Sequence, residues 1–407
     1  MKEKLAINGG MPVRNEKIYY GRQWVDDDDA RAVKEALQSD FLTCGPRVGE
    51  LENALAGYVG AKYALAVSNG TAALHCACIA ASIKSGDEVI TTPLTFAASA
   101  NCILYCGAKP VFADIDAETY NIDPASIEAC VTKKTKAVIA VDFTGQAVRH
   151  REIREICDRN NLIFIEDAAH AIGTKYDGKP VGSLADMTCF SFHPVKTVTA
   201  GEGGAVTTND AKLYQKLVLA HTHGITHDRG LMAMDSNEGS ATGDFTAPWY
   251  YEQVSLGYNY RMTDFQAALL LSQLKKLARF KARRQEIVER YNGAFEKMPE
   301  IIIQKEIPQS DTCRHLYIIK LDLGKLACNR RQFFDAMAAE NVQPQVHYLP
   351  VYWFPYYRGL GYKKGLCPNA EEVYGCIMSI PLYPKMTDQD VEDVIAVVRK
   401  VVGNYRK

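Results

Sequence analysis

Lys196 stands in an unusual setting for a lysine. The apolar run Met187-Thr-Cys-Phe-Ser-Phe192 leads to it through His193, Pro194 and Val195, and the turn Gly201-Glu202-Gly203-Gly204 follows shortly after. The run reads as a strand, so Ser191, His193 and Lys196 arrive together at its carboxyl end. A lysine there is either a solvated turn residue or, once burial strips its proton, a nucleophile that traps carbonyls.

Three other stretches carry groups that suit the same chemistry. The run Ile163-Phe-Ile-Glu-Asp167 ends on an acid, followed by Ala168, Ala169 and His170. An acid closing an apolar strand is costly unless paired. It reads as a helix cap, as half of a salt bridge, or as an acid facing a protonated ring nitrogen. Ser68-Asn69-Gly70-Thr71 joins a strand-like run to a helical one, and such a turn offers amides and a hydroxyl to an anion, or simply a cap. Phe96, in TTPLTFAAS, is either a core residue or a face laid over an aromatic ring. An amine, an acid, an anion cradle and an aromatic face are together what pyridoxal phosphate requires. The competing phosphate devices are missing: no GxGxxG follows a strand, and no GxxxxGK precedes Ser or Thr.

The elements that must position these groups alternate along residues 62–210. Strand-like runs lie at Tyr63–Val67, Glu88–Thr91, Val111–Ile115, Ala137–Asp142, Ile163–Glu166, Thr188–Phe192 and Gly204–Thr207. Amphipathic segments such as Ala72–Ile83, Ile127–Thr132 and Ile153–Arg159 separate several of them. Apolar runs with helices between them predict an α/β architecture around a mostly parallel sheet. At 407 residues two domains are expected, with the boundary near residue 270: a large domain over 1–270 with an N-terminal helical segment, and a smaller α+β domain over 271–407. The boundary falls inside a single long predicted helix, Thr263–Phe295. Beyond it HLYIIKLDL and QPQVHYLP read as strands, and Asn329–Glu340 and Asp388–Val402 as helices. The aromatic, glycine-rich stretch 225–260 reads as a lid or interface loop.

Composition narrows the class. Forty-seven Lys and Arg against 48 Asp and Glu leave no basic footprint for nucleic acid. The run Asp26-Asp27-Asp28-Asp29 precedes a helical pattern over Ala30–Leu37, so it reads as acids at a helix N-terminus rather than a metal site. Twelve cysteines sit mostly inside apolar runs without CxxC spacing, as buried thiols in a reducing compartment do. With no apolar run near ~18 residues and no signal-like N-terminus, the expectation is a cytoplasmic protein with no membrane segment and no metal.

The motifs SNGTAAL, TTPLTFAASAN, FIEDAAHAIG, SFHPVKTVTAGEGGAVTTND, HTHG, GYNYRMTDFQAALLLSQL and VHYLPVY, in this order over about residues 15–390, resemble the DegT family of nucleotide-sugar aminotransferases. That family belongs to the fold-type I pyridoxal-phosphate enzymes, with a seven-stranded sheet in the large domain. The resemblance implies that Lys196 carries the cofactor as a Schiff base and shuttles the proton, that Asp167 keeps the pyridine nitrogen protonated, and that His170 lies near the cofactor's phenolate oxygen. It implies that Phe96 stacks on the ring and that Gly70, Thr71 and Ser191 bind the phosphate. Asn259 would reach the phosphate in a neighbouring subunit, which makes the expected assembly a homodimer with shared sites. Arg261, His193, His347 and Tyr348 would border the substrate. Bland readings stand beside these: His193 as a structural neighbour, Arg261 as a partner of Asp264, His221 and His223 as satisfied loop residues, and Glu202 as held by its own turn.

Within the family, the stretches VDFTGQAV and QVHYLPVY together with the lysine motif resemble the branch of the pseudaminic-acid route, which forms UDP-4-amino-4,6-dideoxy-N-acetyl-L-altrosamine. The implied substrates are a UDP-linked 4-keto-6-deoxy sugar and L-glutamate. The alternatives are a dTDP- or GDP-linked keto-sugar, an aromatic amine synthase, or a regulator of the same fold without turnover. Lys196 weighs against the last, and against the family's sugar dehydratases, in which histidine replaces the lysine.

Overall fold

Seven runs of four to seven residues, rich in Val, Ile, Ala and Phe, pair into one sheet in the computed structural model, which describes residues 3–232 and 248–407. They are β1 (Tyr63–Val67), β2 (Glu88–Thr91), β3 (Lys109–Phe112), β4 (Thr135–Val141), β5 (Ile163–Asp167), β6 (Met187–Ser191) and β7 (Gly204–Thr208). Their order is β1-β7-β6-β5-β4-β2-β3, and β7 alone runs antiparallel, against both β1 and β6. The expected mostly parallel seven-stranded sheet is present.

Both faces of the sheet are covered, and alternate residues divide between two cores. On β4, Ala137 and Ile139 join Leu74 and Ile103 from helices α2 (Gly70–Ala80) and α3 (Ala98–Tyr105). Val138 and Ala140 join Ile153 and Ile156 from α4 (His150–Asn160) on the other face. On β5, Ile165 belongs to the first core and Phe164 to the second. The period of two therefore sends Asp167 and Glu166 to opposite faces.

Three sequence expectations are corrected. The strand expected at Val111–Ile115 runs instead over Lys109–Phe112, on the sheet's edge, where Pro110 needs no ladder amide. The long helix is two: α5 (Asp264–Leu274) and α6 (Leu277–Phe295). At the break, the Lys276 amine turns back to Asp26 and, at 2.9 Å, to Asp29. The acidic run does begin a helix, α1 (Asp27–Leu37), which Asp26 caps by accepting from the Asp28 and Asp29 amides. Finally, QPQVHYLP contributes only its first residue to a short strand, Val342–Gln343. Pro344 and Pro350 lack the amides a ladder needs, and the segment between them runs into the cavity described below.

The C-terminal part builds its own antiparallel sheet in the order β8-β9-β10 from Ile301–Ile303, Tyr317–Leu321 and Ile377–Ile380. Helices α6, α7 (Arg330–Ala339) and α8 (Asp388–Tyr405) cover it through Tyr291, Phe333, Val394 and Val398. Leu5 and Ile18, from the start of the chain, are buried in the same core. All twelve cysteines are free, and Cys44 is the exposed one. Among the described residues no helix is long and apolar enough to cross a membrane.

Candidate active site

The carboxyl ends of β1, β5 and β6 open onto one cavity of about 780 Å³, lined by Gly70, Thr71, Phe96, Asp167, His170, Ser191, His193, Lys196, His347 and Tyr348. Ten of the twelve residues singled out from the sequence thus converge.

Lys196 is held by its backbone, not its side chain. The Phe192 amide donates to the Gly203 carbonyl at 2.8 Å, the Phe192 carbonyl accepts from Ala200 at 2.9 Å, and the Lys196 amide reaches His193 at 2.9 Å. These bonds close the loop that carries the lysine. No hydrogen bond or ion pair to its Nζ occurs among the described residues. Burial lowers its pKa to about 8, against the opposing pull of the Asp167 charge. A neutral amine is therefore within reach near neutral pH.

Asp167 is buried at the end of β5, and burial raises its pKa. Three groups oppose that rise: the Ser99 hydroxyl donating to Oδ2 at 2.6 Å, the Ala169 amide donating to Oδ1 at 3.1 Å, and the Lys196 charge. At both residues the loss of water outweighs their mutual attraction. A cation placed against Asp167 would reverse this balance.

The anion cradle is built by close approach. Asn69 caps α2 by accepting from the Ala72 amide at 2.8 Å, which leaves Gly70 and Thr71 at the open N-terminus beside the cavity. A Cβ on Gly70 would lie 2.8 Å from that of Ser191, and one on Gly204 would lie 2.4 Å from the Asn69 carbonyl oxygen. Only glycine lets this turn sit against the ends of β6 and β7. Phe96 is 62% exposed on the cavity wall, so it is not a core residue.

His170 and His347 are neutral. Burial and the Lys196 charge hold His170 well below its ordinary value, and they push His347 down to about 3. His170 Nε2 lies 3.3 Å from the Tyr348 hydroxyl, while its Nδ1 is buried without a partner. His347 Nδ1 is 2.8 Å from Ser379 Oγ. His193 is exposed at the cavity mouth.

Two expected residues lie elsewhere. Asn259 is exposed and bridges Thr222, outside this chain's cavity. Arg261 donates to Thr222 Oγ1 at 2.9 Å and lines a separate cleft with Cys44 and His221. It does not pair with Asp264, which accepts from the Gly45 and Arg47 amides. His221 Nδ1 lies 2.7 Å from the Val218 carbonyl. Of the stretch 225–260, residues 233–247 lie outside the described residues; Ile225–Thr226 pairs with Glu252–Gln253.

Sequence reasoning missed Ser99, Tyr20 and His315. Ser99 lies in the quoted TTPLTFAASAN, three residues past Phe96, and one helical turn brings it onto Asp167. Tyr20 lines the cavity from the far N-terminus, and the His315 ring lies 4.4 Å from that of His170. Nothing local in the sequence marks either.

The residues present fit pyridoxal phosphate: an unpaired amine, a buried carboxylate, a helix N-terminus that excludes a Cβ, an exposed aromatic face and an orphaned imidazole nitrogen share one cavity.

Comparison with known proteins agrees. The profile of the DegT/DnrJ/EryC1/StrS aminotransferase family matches residues 23–399. The spore coat polysaccharide biosynthesis protein SpsC of Bacillus subtilis is 42% identical over 391 residues, covering 96% of this chain and 98% of that protein. The UDP-4-amino-4,6-dideoxy-N-acetyl-beta-L-altrosamine transaminase of Campylobacter jejuni is 38% identical over 395 residues, covering 95% and 99%. Among solved structures, Helicobacter pylori PseC, an aminotransferase of pseudaminic-acid biosynthesis, superposes with a TM-score of 0.87 at 31% identity, covering 96% of this chain and all of that one. The sugar aminotransferase Spr1654 of Streptococcus pneumoniae in its PLP form gives 0.86 at 28% identity, covering 95% and 99%.

Proposed function

The chain belongs to the DegT/DnrJ/EryC1/StrS aminotransferase family, and from that premise we propose that it moves the amino group of L-glutamate to the keto carbon of a UDP-linked 4-keto-6-deoxy sugar. That it is a pyridoxal-phosphate-dependent sugar aminotransferase follows from the family and its relatives. The sugar and donor are the proposed part; the UDP-linked amino sugar on which the Campylobacter relative is named to act supports the sugar. The observation that carries the reading is that Lys196 and Asp167 line one cavity, each moved from its ordinary pKa by burial.

When bound, pyridoxal phosphate supplies an electron sink that acidifies the carbon next to the transferred nitrogen. The chain's own residues do the rest. Lys196, neutral above about pH 8, accepts a proton at Nζ from that carbon and returns it elsewhere. Asp167, held by Ser99 and the Ala169 amide, presents a carboxylate to a protonated ring nitrogen. The amides of Gly70 and Thr71 and the Ser191 hydroxyl would hold the phosphate. Phe96 and neutral His170, the latter 3.3 Å from the Tyr348 hydroxyl, would hold the ring. His193, His347 and Tyr348 border the substrate.

The same proposal includes a cytoplasmic homodimer in which exposed Asn259 and half-buried Arg261 serve the partner's site, and a division into lobes near residue 270. A panel of UDP-, dTDP- and GDP-linked keto-sugars with glutamate tests the reading through the 2-oxoglutarate released. Turnover confined to a dTDP- or GDP-linked sugar would replace the proposed substrate; no turnover with any would remove the reading.

A further inference from the structure

Directly behind Asp167, on the opposite face of the sheet, three ionisable side chains meet in the packed core. Asp142 directly follows β4, Glu166 precedes Asp167 on β5, and His150 opens α4. Asp142 and Glu166 are fully buried and His150 is 4% exposed. One ligand-type atom from each lies within 4.8 Å of the others. Glu166 Oε2 accepts from the Thr188 hydroxyl on β6 at 2.8 Å, and Asp142 Oδ1 accepts from the Val148 amide at 2.9 Å. The remaining atoms, Asp142 Oδ2, Glu166 Oε1 and both His150 nitrogens, make no aligned hydrogen bond among the described residues, inside the cluster or beyond it.

Such a convergence holds either an ion or protons, and distance decides between them. His150 Nε2 and Glu166 Oε1 are 2.7 Å apart. Two ligands about 2.1 Å from a tetrahedral ion stand about 3.4 Å apart. The observed spacing is that of a proton between nitrogen and oxygen. Two buried carboxyls this close also cannot both be ionised without great cost, so one of them carries a proton.

We infer that Asp142, His150 and Glu166 form a sealed proton-sharing triad that fixes the charge and position of Asp167 from behind. The triad joins the ends of β4 and β5 to the start of α4, with Thr188 of β6 bonded to Glu166, and the Asp142 amide also donates to the Asp167 carbonyl at 3.1 Å. Its protons are distributed unequally. Burial and the Glu166 charge hold Asp142 well above the carboxylate range, whereas His150, Thr188 and Asp142 outweigh burial at Glu166 and hold it below. Glu166 is thus the ionised member, and its charge acts on Asp167 in the direction that raises its pKa. His150 and the acid form of Asp142 blunt that charge. The other titratable neighbours are Tyr176, whose ring centroid lies 5.0 Å from that of His150, and Asp167 itself.

This rests on reading Asp167 as the cofactor-facing acid. The test measures pyridoxal phosphate binding to the full-length apoprotein by absorbance titration. His150→Leu, which leaves Glu166 uncompensated, is expected to weaken binding about tenfold. His150→Leu/Glu166→Gln, which removes the charge as well, is expected to recover most of it, a coupling that a packing role does not produce. Losses that simply add in the double variant overturn the inference. Asp142→Asn, whose amide donates as the acid does, is expected to keep affinity that Asp142→Ala loses; equal losses overturn it. If His150→Leu does not fold, the infrared difference between wild type and Asp142→Asn at neutral pH decides: a protonated carboxyl band absent from the variant supports the triad, and no difference overturns it. One equivalent of tightly held metal in the purified protein, lost in Glu166→Gln, also overturns it. Failure of the wild type to bind pyridoxal phosphate would remove the proposed function and leave the infrared result to judge the triad by itself.

Discussion

Glu166 and Asp167 are adjacent carboxylates on one strand, both buried, and burial pushes the pKa of each upward. Their surroundings differ. On the α4 face, Glu166 meets His150, Thr188 and Asp142, and these bring its pKa below the ordinary value. On the cavity face, Asp167 receives one hydroxyl and one amide, and the Lys196 amine has no hydrogen-bond or ion-pair partner among the described residues, so both stay displaced from their ordinary values. A polar group that the fold satisfies is structural. One that the fold buries and leaves short of partners has a capacity that a ligand can complete.

Substitutions on the two faces should therefore fail differently. The largest effect is expected for Lys196→Ala, with amino transfer falling on the order of 10³-fold or more while the melting temperature holds; turnover within tenfold of wild type would erase the distinction. Asp167→Asn is expected to cost about 10²-fold or more in turnover. It should also raise the apoprotein's stability at neutral pH. The raised pKa means that ionising Asp167 in the fold is unfavourable, so its contribution is lost as pH rises through the folded value, and the neutral amide escapes that loss. Glu166→Ala should do the reverse to stability, lowering it by about 3–5 kcal/mol because it strands a buried partner. Denaturant unfolding of these two variants side by side is the direct check.

Smaller effects sharpen the cavity side. Trapping of an aldehyde probe by Lys196 in the apoprotein should accelerate as pH rises and level off above about 8, whereas an ordinary lysine continues toward 10.5; a profile without that plateau would remove the activated amine. Phe96→Ala should weaken cofactor binding about tenfold, the worth of one aromatic face. Asn259→Ala should lower cofactor retention by a few-fold and only in the dimer, which gel filtration with absorbance detection would resolve.

The local pattern of the chain determined a good deal. Apolar runs separated by helical ones dictated the seven strands, because a strand buried on both faces must be apolar along its length. The short motifs at strand ends located Lys196, Asp167, Gly70, Thr71 and Phe96, because a polar residue closing such a run is costly without a purpose. What the pattern could not carry was which distant segments share a face. Ser99 reaching Asp167 joins residues 68 positions apart, His315 tilted against His170 joins residues 145 apart, and Tyr20 enters the cavity from the N-terminus. The break at Lys275–Lys276 depends on Asp26 and Asp29 from the other end of the large sheet's domain, and the path of 344–350 depends on the cavity it fills. The triad behind Asp167 likewise exists only where β4, β5 and α4 meet. Periodicity reports a residue's own exposure to solvent; partners and proton sharing are properties of packing, and tertiary structure alone decided them.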